Sequence, residues 1–87
     1  MSFEIDRAYE KHPQVAIRHE DFGGLAYHYG NRRLVFLKAE RLVELVEALV
    51  EFPTAREAIA VHVPAERRGT YEKALAGLLT SGVIRVR

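Results

Sequence analysis

The chain has 87 residues and a formal net charge of +1; 48% of the residues are hydrophobic, 29% are charged, and none is cysteine. That length supports one small domain, which buries roughly 60–65% of the surface its unfolded chain exposes and leaves no room for a cleft between two domains. The missing cysteine excludes a disulfide framework, a zinc–thiolate site, a thiol nucleophile and a self-held iron–sulfur cluster; the short apolar runs exclude a membrane span, Met1-Ser2-Phe3-Glu4 lacks the basic start of a secretion signal, and a reducing, cytoplasmic setting fits.

Residues 1–12 have no strong period and read as an N-terminal arm, with a helical turn around Arg7-Ala8-Tyr9; residues 13–87 read as the domain proper. Pro13 sets an extended conformation, and Val15 to Arg18 reads as a first strand. After the glycine-ended connection His19 to Gly24, Leu25-Ala26-Tyr27-His28-Tyr29 alternates with the period of a half-buried strand. Gly30-Asn31 is a two-residue hairpin signal, since both types tolerate positive φ. Arg32 to Leu37 follows as a third strand, with Leu34 and Phe36 on one face and Val35 and Leu37 on the other. Three strands joined by short turns make an antiparallel meander.

The period then changes. Leu42, Leu45, Val46 and Leu49 are spaced i, i+3, i+4, i+7, so Ala39 to Phe52 reads as an amphipathic helix that lacks a good N-cap and ends at Pro53. Thr54 with Glu57 forms a capping box opening a helix from Ala55 to Val61. Pro64 suits the first position of a third helix, which runs to Ser81 with the stripe Tyr71, Ala74, Leu75, Leu78 and Leu79 and ends at Gly82 in a left-handed conformation. Residues 83–87 are extended and could pair with a strand. Strands followed by helices imply an α+β fold, here a winged helix-turn-helix-like arrangement of a three-stranded meander and a three-helix bundle.

Catalytic parts are missing. His12, His19, His28 and His62 lack metal-ligand spacing, Ser2 and Ser81 sit in no nucleophile elbow, and Gly23, Gly24 and Gly30 make no phosphate-binding loop. The paired glutamates of the first helix read as a solvated face, and His28 as a structural histidine. The chain is therefore not expected to be an enzyme or to hold a metal or cofactor.

A working surface is left at the sheet edge. Edge strands are usually blunted by charge or proline, yet Arg33-Leu34-Val35-Phe36-Leu37 has neither between Arg33 and Lys38. Either the arm or the tail covers this edge, or another chain adds a strand there. Tyr71, Leu75 and Leu78 of the third helix would form one wall of an adjoining groove. Net charge runs −2 over residues 1–21, +3 over 22–38, −3 over 39–65 and +3 over 66–87. If the two positive segments meet, Arg32, Arg33, Arg67, Arg68 and Lys73 would steer an acidic, extended peptide with apolar anchors.

The runs HPQVAIR at 12–18, FGGLAYHYGNRRLVFLK at 22–38 and LAGLLTSGVIRVR at 75–87 resemble the MftB family of peptide chaperones of mycofactocin biosynthesis, which belongs with the PqqD-like RiPP recognition elements. The resemblance covers about Asp6 to Arg87, and its middle run is the most specific. It implies a non-catalytic domain that binds the leader of a ribosomally made precursor peptide as a strand beside the third strand. The domain then presents that peptide to a radical S-adenosylmethionine maturase, whose cluster chemistry would be its own. Carried over by position, the contacts would be Arg33, Leu34, Val35, Phe36 and Leu37 on the strand, and Tyr71, Ala74, Leu75 and Leu78 on the helix, with Arg67 as a steering charge.

Two other readings come from the residues alone. Arg67, Arg68 and Lys73 on a third helix raise a DNA-binding winged-helix regulator. Against it stand Glu66 and Glu72, the absence of Asn or Gln on that helix, and too few residues past Gly82 for a wing. Neither nucleic acid nor membrane is thus an expected partner. Two copies could also pair edge to edge as a homodimer.

Overall fold

The computed structural model describes residues 2–87. Strand β1 covers Tyr9–Lys11, β2 Val15–Glu20, β3 Gly23–His28 and β4 Leu34–Leu37. Helix α1 (Glu40–Ala48) runs into a 3₁₀ turn at Leu49–Glu51; α2 is Ala55–His62, and a second 3₁₀ turn, Ala65–Arg67, leads into α3, Arg68–Ser81. Strand β5, Ile84–Val86, follows. The fold is α+β: an antiparallel sheet in the order β2-β3-β4, then three helices, with a separate antiparallel pair β1-β5.

The expected meander forms, and so do two of the expected helix signals. Thr54 Oγ1 accepts from the Glu57 N–H at 3.3 Å at the start of α2. Gly82 closes α3 with φ +87, its N–H and that of Val83 turned back on the last turn, which is the left-handed termination glycine permits. Pro64 stands one step earlier than expected. It is the N-cap of the second 3₁₀ turn, and α3 begins only at Arg68.

The stretch read as an arm contains β1. Tyr9 faces Val86 and Lys11 faces Ile84, so residues 83–87 are held by the start of the chain. No helical turn forms at Arg7–Tyr9; a turn closes earlier, where the Arg7 N–H donates to the Glu4 carbonyl at 3.1 Å. Beyond it the Ile5 and Arg7 carbonyls accept from Arg56 and Ala55 N–H, occupying donors that a helix N-terminus leaves unpaired.

The β3–β4 connection also departs from the two-residue turn. His28 N–H donates to the Arg33 carbonyl at 2.9 Å and Arg32 N–H to the His28 carbonyl at 2.7 Å, so the loop spans Tyr29–Arg32. Arg32, at φ +62, takes the left-handed position. Side-chain acceptors build this loop: His28 Nδ1 receives the N–H groups of Gly30 and Asn31 at 3.0 and 3.1 Å, and Asn31 Oδ1 receives that of Arg33. His28 is buried, and is the structural histidine expected.

One core joins these elements. Tyr9, Leu37, Val43, Leu45, Val46, Leu49, Ile59, Leu75 and Ile84 are among its fully buried members. Helix α1 packs on the inner face of the sheet, where β3 places Gly24, Ala26 and His28. A Cβ on Gly24 would lie 2.8 Å from Val43 Cγ2, so the small residue sets how closely helix and sheet approach.

Candidate functional site

Strand β4 is an outer strand of its sheet, hydrogen-bonded to β3 on one side only. Among the described residues neither terminal strand pairs with it, since β1 and β5 pair with each other. The pairing of β3 with β4 sets Tyr27 opposite Leu34, Ala26 opposite Val35, Leu25 opposite Phe36 and Gly24 opposite Leu37. The His28–Arg33 bond fixes the phase of this ladder. In an antiparallel pair every second residue bonds inward, so the Arg33 carbonyl and the backbone groups of Val35 and Leu37 turn to β3. The N–H and C=O groups of Leu34 and Phe36 point away from the sheet.

Side chains alternate as expected. Leu37 is fully buried and Val35 partly so, while Leu34 and Phe36 are 53% and 57% exposed. The opposite edge, β2, is defended. Val15 already accepts from Lys11 Nζ and donates to the His12 carbonyl, and Arg18 pairs with Glu20 along that strand.

A groove of about 160 Å³ lies at the end of β4. Lys38, Ala39 and Leu42 form one side; Arg67, Thr70, Tyr71 and Ala74 of α3 form the other. The Arg67 guanidinium lies 5.8 Å from the centre of the Tyr71 ring, a cation–π contact that holds the charge at the groove's rim. The structure thus gathers Arg67, Tyr71 and Ala74 around this groove, with Leu37 and Lys38 where β4 delivers the chain into it.

Leu75 and Leu78 are placed differently. Both are core residues, as Tyr71 also is, but unlike Tyr71 neither lines the groove. Arg68 is withdrawn from steering: its Nε donates to the Val63 carbonyl at 3.2 Å and its Nη2 to Ala60 at 3.3 Å, where a cation suits the C-terminal end of α2. Arg32, Arg33, Arg67 and Lys73 remain exposed. Lys38, Leu42 and Thr70 belong to the groove although the sequence reading did not place them there. Leu42 looked like one more residue of the α1 stripe, and only the approach of α3 distinguishes it.

Among the described residues no group of three His, Asp or Glu is positioned to hold a metal ion, and no helix is long and apolar enough to cross a membrane. What the site offers is four open backbone groups, two exposed apolar side chains and a small groove with basic rims. These are the requirements for holding an extended segment of another chain.

The model of the peptide chaperone MftB family matches residues 8–85. The chain is 40% identical over 85 residues to a peptide chaperone MftB of Mycolicibacterium smegmatis, covering 97% of this chain and 83% of that protein. It is 46% identical over 56 residues to a peptide chaperone MftB of Mycobacterium tuberculosis, covering 64% and 51%. With that of Mycobacterium ulcerans it shares 38% over 84 residues, covering 95% and 77%. No solved structure matches.

Proposed function

The chain belongs to the peptide chaperone MftB family, a non-catalytic family, and from that premise we propose that it binds the leader of a ribosomally made precursor peptide in mycofactocin biosynthesis by strand addition at β4. The guest backbone bonds to the N–H and C=O groups of Leu34 and Phe36 and runs on into the groove beside α3. There an apolar anchor rests between Leu42, Tyr71 and Ala74, and a carboxylate of the guest meets Arg67 or Lys38. The loaded protein then presents the peptide to a radical S-adenosylmethionine maturase, which supplies all the chemistry.

The observation that carries this reading is the undefended β4 edge, open at Leu34 and Phe36 and continuous with a basic, apolar groove. Strand addition draws its affinity from backbone hydrogen bonds and its selectivity from pockets for alternate side chains, and both are available here. The test is a titration of isotopically labelled protein with a synthetic leader. Amide shifts are expected at Leu34, Phe36 and the Arg67–Ala74 face of α3. Saturating peptide that leaves these resonances in place would refute the reading.

A further inference from the structure

The outer face of the sheet, away from α1, is also apolar. Leu25 and Tyr27 of β3 lie beside Leu34 and Phe36 of β4, and Phe22 and Tyr29 extend the surface at its two ends, 46% and 64% exposed. The rings of Phe22 and Phe36 are 6.0 Å apart, and those of Tyr27 and Tyr29 meet edge-on at 4.8 Å. A shallow cleft of about 390 Å³ runs across the face past Tyr27, Tyr29 and Leu34. Scattered apolar side chains on a surface are ordinary, whereas a contiguous aromatic and aliphatic patch marks an interface.

We propose that this face docks a folded protein, the enzyme to which the loaded peptide is handed, through a contact surface that is apolar at its centre and carries carboxylates at its rim. The inference rests on the peptide-binding reading above and adds a second surface to it. Charge selects the occupant. Arg18 is bonded to Glu20, whereas Arg32, Arg33 and Lys38 are exposed and, among the described residues, form no salt bridge; against these three cations stand two unpaired carboxylates near in the chain, Asp21 beside Phe22 and Glu40 two residues past Lys38, so the face stays net positive. A second copy stacked on this face would bring two net-positive surfaces together. Three strands about 4.8 Å apart, four to six residues long, make a face of roughly 300 Å², well short of the ~800 Å² per partner of a stable interface.

The guest peptide supplies part of the shortfall. A strand added at β4 widens the sheet by about 4.8 Å, and its outward side chains continue the ridge of Leu34 and Phe36. The enzyme therefore binds the loaded protein more tightly than the empty one, and by linkage tightens the hold on the leader by the same factor.

The test uses purified wild-type protein, Tyr27→Glu and Tyr29→Glu, a synthetic leader lacking the modified end of the precursor, and the purified maturase, measured by calorimetry. Both variants should bind leader with wild-type affinity, which also reports that they are folded, and bind the maturase at least tenfold more weakly. Wild-type affinity for the maturase should rise severalfold when leader is present. Unchanged maturase binding in both variants overturns the proposal, and equal affinity with and without leader overturns the coupling. A dimer in sedimentation that Tyr29→Glu dissociates would assign the face to a second copy and also overturn it. Failure of the leader to bind wild-type protein would instead sink the edge reading, while the variants' effect on maturase binding still decides the outer face.

Discussion

The His28 N–H donates to the Arg33 carbonyl at 2.9 Å, and this one bond decides which residues of β4 are free. Because inward and outward bonding alternate, it gives Val35 to the ladder with Ala26 and leaves Phe36 open. Proline at the two neighbouring positions should therefore act in opposite ways. Proline is tolerated on an edge strand where its missing N–H faces solvent, so Phe36→Pro should keep most of the stability and lose most of the leader affinity. Val35→Pro removes a ladder donor and should cost about 1–3 kcal/mol of stability. Urea melts of both variants, beside leader titrations, measure the contrast. If Phe36→Pro binds leader like wild type while folded, strand addition at this edge is wrong.

Arg67 is the charge best placed to choose the guest. It stands at the groove with its guanidinium near Tyr71 and has no carboxylate partner among the described residues. Arg67→Ala should change stability by no more than about 1 kcal/mol, the scale of an exposed cation–π contact. Affinity for an acidic leader should fall severalfold at low ionic strength. The gap between wild type and variant should narrow at high salt, since exposed charges are screened. Calorimetry at two salt concentrations checks this; a gap independent of salt would mean that the guanidinium acts by packing.

How much of this was legible in the sequence follows from how local each signal is. The Thr54–Glu57 cap and the Gly82 termination depend on a few consecutive residues, and both stand where the residues put them. Strand β1 has only three residues and no period. Its partner is some 75 positions away, and Tyr9 sits in the core stacked on Phe3, its hydroxyl accepting from the Glu4 N–H at 2.8 Å. The alternation in β3 is real, but the buried face is the small one. Gly24 and Ala26 go inward because α1 needs the room, and Leu25 and Tyr27 are left outside. The same limit applies to α3: a 3.6-residue period marks Tyr71, Leu75 and Leu78 as one stripe, and only the packing shows that Tyr71 lines the groove while the two leucines do not.

Gly23 is a second point of control over the edge. Its φ is +143, and a Cβ there would sit 2.2 Å from the Leu37 carbonyl oxygen and 2.7 Å from the Ala39 nitrogen. These are backbone atoms, which cannot swing aside. Gly23→Ala should cost at least about 2 kcal/mol from strained conformation and overlap, and should weaken leader binding because the displaced atoms belong to the end of β4. Gly77 provides the control. Nothing lies within 4 Å of a Cβ there, so in a helix Gly77→Ala should stabilise by about 0.5–1 kcal/mol. Denaturant midpoints of the two variants, measured together, should move in opposite directions.

The β1-β5 pair meets the sheet at His12 and His28, whose rings lie 4.4 Å apart. Burial, the largest influence, together with His28, Arg85 and Lys11, holds the His12 pKa below the ordinary imidazole value of 6.5; Glu10 opposes the shift. The unfolded chain therefore takes up a proton at a pH where folded His12 does not. Stability is at its full value above 6.5 and declines as pH falls through the window between 6.5 and the lowered folded pKa. Asp6 does not contribute there, since its hydrogen bond to Arg56 lowers its pKa from 3.8 and confines its effect to more acid conditions. In His12→Asn the side-chain oxygen can still accept the Gln14 N–H, now received by His12 Nδ1 at 3.0 Å, but it does not titrate. Urea midpoints at pH 7 and pH 5 should fall more for wild type than for His12→Asn. An equal fall in both would place the responsible proton on another group.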